Sequence, residues 1–393
     1  MSRENVMPAE PLVALESAST TFNMITEMLQ KSFYRPDMQA IRIVMGTMQA
    51  HYLKTGDPAW MFIVAPPGSG KTTTSMMTTS GLPEVTTLSD FTEATFLSGF
   101  YGHDSPGLLE RVGKSVQSGD GRTFTAEGNA IFMAKDFTTV LAMKRETRNA
   151  ILGQLREIHD GEFKRTFGTG QTKIWKGRVT MLAAVTPVLD RYYSIFSTLG
   201  ERFLQVRWHR PDSPRAGVMA INQQGKELEI REELAQAVRD LFEKATKKVP
   251  EISDEFSNRI ASISELVAIG RTHVFRANYG NREIEYMPEP ESNTRLSKGL
   301  AALARGIASL NQRTTVGEAD FQDVLRVAFD CIPEYRRLLL QSAIYDKDPA
   351  DLEIPPTMQR REIENLSELG LLTPEGNLSR SARELVEATR IPK

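Results

Sequence analysis

The stretch MFIVAPPGSGKTTT, residues 61–74, decides the fold. Residues 61–64 are a short apolar run of the kind a buried parallel strand needs. Pro66, Pro67 and Gly68 break the run, and Ser69, Gly70, Lys71, Thr72 and Thr73 follow. The pattern is a phosphate-binding loop, with Ala65 where glycine usually comes first. Glycines let successive backbone N–H groups turn inward and cradle a polyphosphate. A helix starting near Lys71 aims its positive end at the same anion. Lys71 is then expected to reach the β- and γ-phosphates and the Thr72 hydroxyl to join a Mg²⁺ shell. Residues 65–73 are the expected contacts of a nucleotide.

Composition narrows the setting around this loop. At 393 residues the chain has room for two or three domains. Its 40% apolar and 25% charged content is ordinary for a soluble globular protein. The formal net charge of −2 gives no global basic field, so any nucleic-acid contact must come from local patches. A single cysteine, Cys331, excludes an internal disulfide and a cysteine-based zinc site, and it fits a reducing cytoplasm. Cys331 reads as a small buried residue. No apolar run reaches the roughly 18 residues of a membrane span.

Outward from the loop, the chain alternates helical and strand patterns. Residues 1–36 read as a tail ending in a helix, and residues 37–53 carry apolar residues at helical spacing (Ile41, Val44, Met48, Tyr52). Past the loop, residues 84–89 read as a second strand and residues 91–100 as a helix. Residues 99–128 are glycine-dense and read as loops, either at a working face or as a surface insertion. AIFMA at 130–134 is the next buried strand, and it runs into Lys135 and Asp136. A phosphate-loop enzyme needs an acid at the carboxyl end of a neighbouring strand to hold Mg²⁺. Asp136 is that acid, either as metal-shell carboxylate or as the base that polarises water. Lys135 stands where an aspartate is usual, and a cation beside Mg²⁺ is repelled, so Lys135 is expected to turn away.

Residues 146–161 read as an amphipathic helix. Residues 162–166 and 173–176 flank a glycine turn and predict a β-hairpin loaded with Lys164, Arg165, Lys173 and Lys176, and with Arg178 just beyond. Residues 179–185 are another buried strand, ending at Thr186, within reach of a γ-phosphate. Arg202 precedes an apolar strand at 204–208. A composition shift at 211–215 suggests a boundary. Residues 213–332 then read as an all-helical lid with an irregular link near 271–291 and a long helix opened by Arg295. Residues 333–393 read as helix, helix, turn and closing helix, the pattern of a winged helix-turn-helix, with Arg360 and Arg361 on its candidate recognition helix.

The order of these parts resembles the AAA+ ATPase superfamily: phosphate loop, acid at Asp136, sensor-1 position at Thr186, arginine finger at Arg202, sensor-2 position at Arg295. The helix-plus-hairpin LREIHDGEFKRTFGTG is similar to the branch that holds MCM helicases and MoxR-type ATPases. The resemblance implies a P-loop AAA+ parallel sheet at 37–212, a helical lid at 213–332 and a winged helix at 333–393. It also implies Mg²⁺-dependent ATP hydrolysis in a homo-oligomeric ring, commonly a hexamer, with Arg202 acting on a neighbour's nucleotide. Lys71, Asp136, Thr186, Arg202 and Arg295 would carry the catalysis. Two uses of such a motor stay open. One is DNA work (helicase, helicase loader or remodeller), with Lys164, Arg165, Lys173, Lys176, Arg360 and Arg361 on phosphates. The other is a MoxR-like chaperone acting on a protein client. An enhancer-binding activator would carry a GAFTGA loop, and FLSGFYGHDSPG stands in its place.

Overall fold

The computed structural model describes residues 20–69, 81–98, 107–117, 123–193, 195, 202–209, 214–277 and 283–391. Its strands in chain order are β1 (Trp60–Val64), β2 (Val85–Leu88), β3 (Lys114–Gln117), β4 (Thr123–Ala134), β5 (Glu162–Thr166), β6 (Thr172–Val185) and β7 (Phe203–Arg207). The parallel part of the sheet runs β2-β4-β6-β1-β7, so the phosphate-loop candidate strand β1 is central. The chain is α/β with a mainly parallel sheet.

All of β1 is buried, because both faces of the sheet are covered. Trp60, Phe62 and Val64 point into one core with Phe132, Phe137, Leu152, Ile158 and Trp175. That core lies under α5 (Arg145–His159). Met61 and Ile63 point the other way, into a core shared with α2 (Met38–Leu53) and the helices beyond residue 226. This second core is continuous from Phe22 to Ile391. The helical part and the C-terminal part are therefore built onto the sheet.

That helical part comprises α6 (Pro214–Asn222), α7 (Glu227–Lys244), α8 (Asp254–Gly270), α9 (Thr294–Leu310), α10 (Glu318–Asp330), α11 (Glu334–Ile344), α12 (Pro356–Glu368) and α13 (Arg380–Thr389). Helix α9 lies along α2, and the two backbones touch at Gly46 and Gly306. A Cβ on Gly306 would fall 2.0 Å from the Gly46 carbonyl oxygen. A Cβ on Gly46 would meet the Ile307 side chain at 2.4 Å. Gly306→Ala should therefore destabilise by about 2 kcal/mol or more, although alanine is normally the better helix former. Gly46→Ala should cost a similar amount, because it meets the near end of the buried, β-branched Ile307 side chain. Urea unfolding of the two variants checks both.

Several expectations change. Residues 91–98 form turns, not a helix. The glycine-dense region is not loop throughout: residues 108–112 are helical (α3, Leu108–Val112), and β3 pairs antiparallel with the first half of β4. The expected hairpin exists, with Arg165 opposite Lys173 and Glu162 opposite Lys176. Its second arm and the strand at 179–185 are one continuous strand of 14 residues. Strands β4 and β6 thus run past the amino end of β1 and carry β3 and β5 on their outer edges. The link at 271–291 contains a small antiparallel pair, β8 (Phe275–Arg276) and β9 (Ile284–Tyr286). In the C-terminal part the turn after α12 is closed by one bridge, Leu372 to Leu378, and no longer wing ladder is present among the described residues. No helix among the described residues is long and apolar enough to cross a membrane.

Candidate functional site

The carboxyl ends of β1, β6 and β4 lie side by side, and Ala65, Pro66, Pro67, Gly68, Ser69, Asp136 and Thr186 gather there. Val64 pairs with Val185, and the Ala65 N–H extends that pairing by donating to the Val185 carbonyl at 3.0 Å. The chain then leaves the sheet through Pro66 and Pro67. Gly68 has φ of +73°, and among the described residues nothing lies within 4 Å of where a Cβ would stand. A backbone that visits the left-handed region with open space over it can present its N–H groups to a ligand. Ser69 completes the described part of the loop, with its N–H donating to the Pro66 carbonyl at 3.4 Å. Gly70, Lys71, Thr72 and Thr73 lie outside the described residues.

Strand β6 stands between β1 and the strand bearing Asp136. The intervening end carries Thr186. Asp136 is exposed, and its Oδ1 accepts the Thr138 N–H at 2.9 Å. This local turn opens the short helix α4 (Thr138–Leu141) and fixes the carboxylate at the sheet's edge. The Thr138 hydroxyl accepts the Thr186 N–H at 3.1 Å and stands 3.4 Å from the Thr186 hydroxyl. Thr138 thus ties the acid to the polar strand end, a role the sequence reading did not assign. A serine or threonine two residues after a strand-end acid is the signal that was there to use. Lys135 is half-buried, and its N–H donates to the Leu88 carbonyl at 2.9 Å, so its backbone is turned towards β2. The open turn at Gly68 and the exposed Asp136 oxygens fit a phosphate with a hard cation. Among the described residues no cluster of three or more metal-binding side chains occurs.

Arg202 and Arg295 lie elsewhere. Phe203 pairs with Trp60, so Arg202 lies level with Ala59, just before the amino end of β1 and six residues before Ala65. At about 3.3 Å per strand residue that is roughly 20 Å away, beyond the reach of an arginine side chain. Arg295, in the first turn of α9, lines the same small cavity as Arg202, Arg271, Lys298 and Trp60. Burial and the nearby Arg202 charge lower the Arg295 pKa.

Three of the six expected nucleic-acid residues, Arg165, Lys173 and Lys176, are engaged within the chain. Arg165 and Lys173 stand directly opposite each other, where like charges repel. The repulsion is offset because the Lys173 ammonium meets Glu110 at 2.7 Å and the Arg165 guanidinium donates to the Glu93 carbonyl. Lys173 is 6% exposed and so does not face solvent. Lys176 pairs with Glu162 at 3.2 Å on the surface. Lys164 is exposed. Arg178, just past the hairpin, donates to carbonyls of residues 50, 56 and 57. On α12, Arg360 is exposed and Arg361 half-buried, beside Glu362 and Glu364, which pair with Arg336 and Arg276.

Compared with known proteins, the chain matches no family model and no curated protein.

Proposed function

We propose that this chain is an ATP-hydrolysing, ring-forming motor of the AAA+ kind that acts on DNA. The observation that carries the reading is a split: the phosphate-loop candidate and its acid lie at one end of the parallel sheet, and the two arginines lie at the other. A site that needs both ends is completed only when a second copy presents its amino-end face to the first copy's loop. A head-to-tail contact of this kind closes into a ring when the rotation permits.

On this reading the backbone around Gly68 would hold the phosphates together with Lys71, Thr72 would hold Mg²⁺, and Asp136 is left to act as the base. The metal, when bound, neutralises charge on the phosphate oxygens. Asp136 accepts a proton or hydrogen bond from the attacking water, and Thr186, anchored through Thr138, orients it. Arg202 of the next copy stabilises the charge that spreads over the transferred group. Asp136→Asn is expected to lower the turnover number by 10² or more, about what loss of general-base action costs. Steady-state turnover and nucleotide affinity, measured separately, check this. A loss of affinity alone would assign Asp136 to the metal shell and put the base elsewhere.

A chaperone of the MoxR kind is the second reading. It is favoured by one observation, that Arg165, Lys173 and Lys176 already have partners within the chain. Turnover with and without single-stranded DNA discriminates. The DNA reading predicts a several-fold rise, and Lys164→Glu should weaken binding at low salt and flatten the salt dependence by about one unit of slope. Turnover indifferent to DNA would favour the protein client.

A further inference from the structure

Of the two arginines at the amino end of the sheet, Arg202 is gripped by a carboxylate of its own chain and Arg295 stands near another. Asp160 takes Arg202 in a two-bonded grip, with Nε at 3.1 Å from Oδ1 and Nη2 at 2.8 Å from Oδ2. Glu291 accepts from Arg271 and lies 3.9 Å from Arg295. Asp57 lies 3.4 Å from Lys298. Around the cavity, four cations thus face three carboxylates, an arrangement close to neutral with one positive charge to spare.

The geometry points to a latch: in the lone subunit Asp160 and Glu291 hold Arg202 and Arg295 at rest, and a phosphate carried by a second copy of this chain displaces them. This rests on the proposed split site and adds how that site is regulated. Two features make Asp160 the half that gives way. Its side chain is 58% exposed, whereas that of Arg202 is 11% exposed, so Asp160 can swing into water while Arg202 stays. Asp160 caps the carboxyl end of α5, where a negative charge opposes the helix dipole. It is kept ionised there against partial burial by hydrogen bonds from Arg202 and His159. A phosphate offers more charge and more acceptor oxygens than one carboxylate, and guanidinium binds it in the same forked geometry. The exchange has a structural consequence, since Asp160 and Gly161 are the joint between α5 and β5. Releasing Asp160 frees the base of the hairpin when the neighbour is loaded.

The test is the dependence of ATP turnover on protein concentration for the wild type, Asp160→Asn, Glu291→Gln and Arg202→Ala. Asparagine keeps the shape of Asp160 and removes its charge, and melting temperatures confirm that each variant folds. The latch predicts that Asp160→Asn lowers the concentration of half-maximal turnover about three- to ten-fold, with a smaller shift in the same direction for Glu291→Gln. A role of Asp160 in merely positioning Arg202 predicts the opposite, a higher half-maximal concentration or lost turnover, and that result or no shift overturns the latch. The two levels separate cleanly. If the wild type turns over and Arg202→Ala does not, the split site stands whatever Asp160→Asn does. If the wild type shows no turnover and sedimentation with a non-hydrolysable ATP analogue shows no assembly, the split site and the latch fall together.

Discussion

Arg202→Ala is expected to lower ATP turnover by about 10³-fold or more, the range seen when phosphate-loop enzymes lose an arginine supplied from outside the site. The fold should persist at some cost in stability, because the Arg202 side chain is 11% exposed and grips Asp160 with two bonds. Nucleotide affinity should also persist, because Arg202 is too far from its own loop to contact what is bound there. Arg202→Lys should recover only part of the rate, since an ammonium lacks the planar fork. Turnover, melting temperature and nucleotide affinity measured on one preparation separate these outcomes. A variant that folds and binds but does not turn over fits the proposal. One with full turnover removes Arg202 from the mechanism.

Asp37→Ala is expected to cost about 3–5 kcal/mol of folding stability, the cost of stranding a buried partner charge. The Asp37 carboxylate is almost wholly buried and joins three elements. It caps α2 through the Ala40 N–H at 3.0 Å and accepts the His209 N–H at the end of β7 at 2.9 Å. It also binds both terminal nitrogens of Arg326 on α10, at 2.8 and 2.5 Å. Removing it leaves a guanidinium inside the protein with no carboxylate facing it squarely. Arg326→Ala should cost a similar amount, and the double variant less than the sum. The same carboxylate makes stability depend on acid. Burial pushes its pKa up, but the charge and hydrogen bonds of Arg326 outweigh this and bring it to about 2, from 3.8. The folded state therefore holds this proton less tightly than the unfolded chain does. The contribution, about 2 kcal/mol, is fully present above pH 4 and is lost as the pH falls towards 2. Urea unfolding at pH 6 and pH 3 should show part of that loss in the wild type, and Asp37→Ala should lack this component.

The carboxyl-end part of the site was legible because its signals are local. A short apolar run, a glycine break and a strand-end acid or threonine name their positions without knowledge of the fold. Helix α2 was legible for the same reason, through its repeat of apolar residues. What could not be read were the features that depend on partners distant in sequence. The region around Gly128 looked like loop because glycine is rare in strands, yet Gly128 lies opposite Gly177 inside the paired β4 and β6. Lys173 looked like a phosphate contact, and only the fold brings Glu110 to it. Aromatic residues near Phe91 imitated a helical face, whereas Phe91 and Phe96 are buried within a set of turns. Composition suggested two units after the sheet, at 213–332 and 333–393. The apolar faces of α8, α10 and α11 instead join the C-terminal residues Leu366, Leu371 and Ala382 in one core with the sheet. The position of Arg295 beside Arg202, away from the loop, likewise follows from how α9 lies on α2, which no local pattern encodes.

The most direct test of a nucleotide shared between two copies is complementation. Lys71→Ala should be inactive because it cannot hold the phosphates, and Arg202→Ala because it cannot serve its neighbour. Mixed in equal amounts, the two inactive proteins should regain turnover, since an Arg202→Ala subunit keeps an intact loop and a Lys71→Ala subunit brings the missing arginine. Turnover that reappears on mixing and peaks near equal proportions is the predicted result. A mixture that stays inactive at every ratio, from variants that each still fold and associate, would contradict the shared site.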